Sequence, residues 1–106
     1  MKEDKEDLRR ALLEAIDGAL RFFGESVRSV VYYYCEAKYG VRKEELVDPD
    51  KVDSLVNCIR EVFGEASRVL EDKILSSIVL RFNLDRRKLP RNFEKALKQI
   101  VNALLG

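Results

Sequence analysis

The triplet Phe23-Gly24-Glu25 recurs forty residues later as Phe63-Gly64-Glu65. The surrounding apolar positions recur with it. Upstream, Leu12, Ala15, Ile16, Ala19 and Phe22 align with Val52, Leu55, Val56, Ile59 and Val62. Downstream, Arg28 aligns with Arg68, and Val30 and Tyr34 align with Leu70 and Ile74. After an insertion of three residues, Tyr39-Gly40-Val41 aligns with Phe82-Asn83-Leu84. Gly and Asn enter the left-handed conformation most readily, so both can end a helix there. Each unit therefore reads as helix, Gly-Glu joint, helix, left-handed cap. Two units are too few for a self-sufficient solenoid. The expectation is one closed domain over 1–106, with pseudo-repeats at 8–41 and 48–84 and a C-terminal helix at 92–105.

Hydrophobic periodicity supplies the elements. A first helix, from about Asp4 to Phe23, places Leu8, Leu12, Ala15, Ile16, Ala19 and Phe23 on one face. Gly24 stops it. A second helix, Glu25 to Tyr39, has Val27, Val30, Val31 and Tyr34 as its stripe, and Gly40 ends it. The stretch from Arg42 to Asp48 reads as a charged loop. Asp48-Pro49 is a helix-start signal, since aspartate caps free amides and proline tolerates the first helical position. The third helix then carries Val52, Leu55, Val56, Ile59, Val62 and Phe63. The fourth, Glu65 to Asn83, is apolar nearly all round from Ile74 to Phe82, which marks a central helix or an interface. Leu89-Pro90 breaks the chain. Asn92 can cap a last helix whose stripe is Phe93, Leu97, Ile100, Val101 and Leu104. The expected fold is all-α: a five-helix compact bundle of two pseudo-repeated hairpins plus a C-terminal covering helix.

Composition narrows the function classes. Charged residues make up 37% of the chain and histidine is absent. A composition rich in Glu, Lys and Arg is a hyperthermophile signature. Without histidine the usual neutral-pH general base is missing. No serine sits in a nucleophile elbow or a Ser-x-x-Lys setting, and no glycine-rich phosphate loop occurs. Glu44, Glu45, Asp48, Asp50 and Asp53 read as a solvated loop and helix start, where acids suit the helix dipole. They lack the pattern of a calcium loop. Cys35 and Cys58 form no CxxC pair and read as small apolar residues on helices. The chain is thus expected to have no catalytic set, cofactor or metal. The charged start from Met1 to Asp7 does not read as a signal peptide. No segment approaches the length of a membrane span. A cytoplasmic location is the expectation.

Two features suggest surfaces. Tyr32 shares a helix face with Arg28, Cys35 and Tyr39. Arg28, Tyr32 and Tyr39 form a candidate interaction face, because Tyr and Arg are enriched at hot spots. The alternative is a second packing surface. From Arg81 to Lys98, seven positive residues are opposed only by Asp85 and Glu94. Arg86, Arg87, Lys88, Arg91, Lys95 and Lys98 are candidate phosphate contacts. The alternative is that this segment pairs with the acidic first helix.

From Leu20 the chain reads LRFFGESVRSVVYYYCEAKYG, and from Ile59 it reads IREVFGEASRVLEDKILSSI. Over roughly Leu12 to Leu84 it resembles a small archaeal family, the Nitrosopumilus-type output domain. The family's aromatic-His-Leu segment corresponds to Tyr33-Tyr34-Cys35, a departure that removes any histidine-dependent role. The resemblance implies a stand-alone or signalling-output module without enzymatic activity, and it carries over no functional residues. The reading is a non-enzymatic helical domain acting through a protein partner or a homodimer, with nucleic-acid binding by segment 81–98 as the alternative.

Overall fold

The computed structural model describes residues 4–106. Every regular element among them is helical. The α-helices are α1 (Lys5–Phe22), α2 (Glu25–Tyr39), α3 (Val52–Phe63), α4 (Ser67–Phe82) and α5 (Phe93–Leu105). Short 3-10 turns cover Lys43–Glu45, Gly64–Ala66 and Arg86–Lys88. The five expected helices are not five separate rods. The turn at Gly64–Ala66 follows α3 and precedes α4 without an intervening residue, so α3 and α4 form one joined helical stretch.

The two Gly-Glu joints differ for a backbone reason. Both Gly24 and Gly64 have positive φ, at 114° and 56°. Gly24 has extended ψ, 155°, and lies between the end of α1 and the start of α2. Gly64 has ψ −127°, and its amide still donates to the Arg60 carbonyl. Both glycine amides thus donate back into the preceding helix, Gly24 to the Arg21 carbonyl, and the joints differ in the 3-10 turn that fills the second. The closing caps do agree, since Gly40 and Asn83 are both left-handed.

α1 packs most extensively along α4, while α5 lies against α1, α3 and α4. Leu12, Ile16 and Leu20 of α1, Ile74 and Ile78 of α4, and Leu97 of α5 are fully buried. The radius of gyration, 12.9 Å, matches the ~13 Å of a collapsed chain of about 100 residues.

Three local expectations need correction. α2 buries Val31 and Cys35, four residues apart, and leaves Val30 44% exposed. The Arg42–Asp48 loop is not merely charged, because Leu46 and Val47 are inserted into the core. Asp48 does not cap α3, which starts at Val52 with no side-chain cap. Its carboxylate instead pairs with Arg9 of α1. Asn92 does cap α5, accepting the Lys95 amide at 3.0 Å.

Cys35 and Cys58 are both wholly buried on helices, but neither is free. They form a disulfide joining α2 to α3, with Cα atoms 5.7 Å apart. Sequence spacing could not show this, because the pairing depends on two helices meeting side by side.

Candidate interaction surfaces

α2 is held at both ends by polar knots. Near its start, Arg28 Nε and the Tyr32 hydroxyl both donate to Asp17 of α1, at 2.6 and 2.7 Å. Arg21 reaches the other Asp17 oxygen at 3.0 Å. Burial raises the Asp17 carboxyl, yet the Tyr32 hydroxyl and the Arg28 guanidinium overcome it and hold the group below its ordinary value. Burial and the same carboxylate push the Tyr32 phenol well above its usual range.

Near its end, the Tyr39 and Tyr34 hydroxyls and the Lys38 ammonium all donate to Glu61 of α3, at 2.7, 3.0 and 2.9 Å. Lys38, then Tyr39, lower the Glu61 carboxyl. Arg28, Tyr32 and Tyr39 therefore do not compose one outward face. The first two lock α2 to α1 and the third locks it to α3. Their i, i+4, i+11 spacing is real, but the first two meet a carboxylate of α1 and the third meets one of α3.

The outward face of α2 lies elsewhere. Ser26, Val30, Tyr33 and Ala37 are all exposed, Tyr33 at 76%. Spaced by four, three and four residues, they make an uncharged line along the helix. A pattern search for the core passes over such a line, because two of its members are small and its apolar residues resemble buried ones.

α4 is central, as its apolar second half suggested. Ile74, Leu75 and Ile78 are buried, but Leu80 is 84% exposed. Val69 is also exposed, and the Lys73 ammonium sits 4.1 Å from the ring centroid of exposed Phe22.

The basic segment is split between ion pairs and open charges. Arg86 binds Asp72 of α4 at 3.1 Å, Arg87 binds Asp85, and Lys98 binds Asp53 of α3 at 2.8 Å. Only Arg81 pairs with α1, through Glu14. Partnership with the first helix is thus the exception. Lys88, Arg91 and Lys95 are exposed and make no ion pair among the described residues.

The acidic stretch is likewise engaged in structure. Glu45 pairs with Lys51, Asp48 with Arg9, and Asp53 with Lys98. Sequence reading missed Glu71, buried in α4 and bound to Arg60 at 2.9 Å. Arg60 also reaches Glu94 at 3.6 Å, so one guanidinium connects α3, α4 and α5. No group of three metal-ligating side chains occurs among the described residues. No helix among them is long and apolar enough to cross a membrane.

Compared with protein-family models, curated proteins and solved structures, the chain matches none.

Proposed function

We propose that this chain is a non-enzymatic helical interaction module that self-associates through the outer face of α2. The observation carrying this reading is the exposed, uncharged line Ser26, Val30, Tyr33, Ala37 in a chain that is 37% charged. Its 4-3-4 spacing is that of knobs packing into holes on a facing helix.

The line is also self-complementary. Turning a second copy end over end about the midpoint between Val31 and Tyr32 sets Val30 against the partner's Tyr33. The same operation sets Ser26 against the partner's Ala37. A two-fold axis repeats each contact, as an isologous dimer requires. Small residues at the ends let the helices approach, while Val30 and Tyr33 supply the apolar centre. The output-module character implied by the archaeal resemblance accords with such a dimer. The Cys35–Cys58 disulfide accords with a cytoplasmic site in a heat-loving archaeon, the setting in which intracellular disulfides are common.

Sedimentation from low to high micromolar concentration tests this reading. The wild type should shift from monomer to dimer, and Tyr33→Glu should remain monomeric with unchanged helicity. Leu80→Glu, on α4, should dimerise normally. A wild type that stays monomeric throughout, or a loss of dimer in Leu80→Glu alone, contradicts it.

A second reading rests on Lys88, Arg91 and Lys95, whose open charges suit a phosphate backbone. It requires binding to DNA or RNA that weakens steeply with salt. Absence of retardation at low salt removes it.

A further inference from the structure

An open cleft of about 590 Å³ lies where α1, α2, α4 and the 43–45 turn meet. That volume falls within the ~300–1,000 Å³ of small-molecule pockets. Its walls carry Arg10, Arg21, Arg28, Lys43 and Arg81 against Glu14, Asp17 and Glu44, a positive excess of two charges.

The acids leave much donor capacity free. Asp17 takes Arg21 and Arg28 through their Nε atoms, Glu25 takes Arg28 Nη1 at 2.9 Å, and Glu14 takes a single terminal nitrogen of Arg81. A guanidinium has five N–H donors, so each arginine is aimed by its carboxylate and still presents further donors. Lys43 makes no ion pair among the described residues, and Arg10 reaches only Asp7, at 3.7 Å.

The floor of the cleft gives a second, independent observation. Gly18 lies in the middle of α1, exposed, where glycine costs roughly 1 kcal/mol relative to alanine. Its φ is not positive, and a Cβ built there would meet nothing within 4 Å. Neither backbone conformation nor packing calls for glycine at this position. Its effect is to keep the floor bare between the arginines. Beside it, Leu13 and the Tyr32 ring form an apolar wall.

We infer that this cleft binds a phosphorylated small molecule. The phosphate oxygens meet the Arg21, Arg28 and Arg81 forks and Lys43. Gly18 admits the ligand close to the α1 backbone, and Leu13 and Tyr32 take its organic part. A phosphate monoester carries about two negative charges near neutral pH and so suits a lining with more cations than carboxylates. The cleft shares no lining residue with the outer line of α2 and does not depend on dimerisation.

Calorimetric titration with inorganic phosphate, pyrophosphate and ATP, at fixed moderate salt, tests it on wild type and Gly18→Leu. At least one probe should bind wild type with a submillimolar Kd. Gly18→Leu should weaken that binding by about tenfold or more, a loss near 1.4 kcal/mol, without lowering thermal stability. Val30→Glu, which breaks the outer line of α2 away from the cleft, should bind like wild type, which separates failure here from failure of the dimer. ATP binding tighter than pyrophosphate supports the cleft with Leu13 and Tyr32 in contact with the organic part. Equal affinities support it with recognition by phosphate alone. No binding of any probe below about 10 mM (~2.7 kcal/mol), or equal affinity in Gly18→Leu, overturns the inference.

Discussion

Asp17 illustrates how a single residue converts sequence pattern into geometry. It lies on α1, yet it fixes the orientation of two α2 side chains by accepting from Arg28 and Tyr32. The helical spacing of Arg28 and Tyr32 was legible in the sequence. Their common acceptor was not, because it lies on a neighbouring helix. Asp17→Asn should cost about 1–3 kcal/mol, since it leaves a part-buried hydroxyl and guanidinium poorly matched. Denaturant titration against pH provides the check. The Asp17 carboxyl is held below its unfolded value despite its burial, so its contribution is present above that value. It is lost as pH falls through the depressed folded value. Wild type should lose stability on acidification below about pH 4, and Asp17→Asn should lose less over the same interval. Identical slopes for the two proteins would contradict this assignment.

At the scale of elements, the helical stripes were legible because burial follows a 3.6-residue period. In α3 and α5 the expected faces are the buried ones, from Val52 to Ile59 and from Phe93 to Val101. α2 departed from expectation because its partners sit on two sides. Val31 and Cys35 face the core, while Val30 turns outward with Tyr33. The loop departed because Leu46 and Val47 carry no helical period, and only the path of the chain brings them inside. The disulfide belongs to this scale too. It joins α2 to α3 across a sequence separation of 23. A cross-link closing a loop of that length should add about 3 kcal/mol by restricting the unfolded chain. Cys35→Ala/Cys58→Ala, compared with wild type under oxidising conditions, should lose about that amount in denaturant unfolding. A double variant as stable as wild type would mean that helix packing alone sets the α2–α3 contact.

For the whole molecule, the all-helical class was legible and the surfaces were not. Two of three proposed interaction-face residues, Arg28 and Tyr32, are committed to an internal knot, and Tyr39 to another. The line left uncommitted is Ser26, Val30, Tyr33 and Ala37, which becomes distinctive only once the other faces of α2 are covered. The central claim is that this line joins two copies in antiparallel register, with Val30 opposite the partner's Tyr33. The most direct test is charge complementation at this central pair, read as the dimer dissociation constant by sedimentation. Val30→Lys and Tyr33→Glu alone should each weaken the dimer, because each sets an unpaired charge against an apolar side chain of the partner and the two-fold axis makes that contact occur twice. Val30→Lys/Tyr33→Glu together should recover much of the wild-type affinity, because each lysine then meets the partner's glutamate. Losses that simply add in the double variant, or no loss in either single variant, would contradict the register and with it the proposed face.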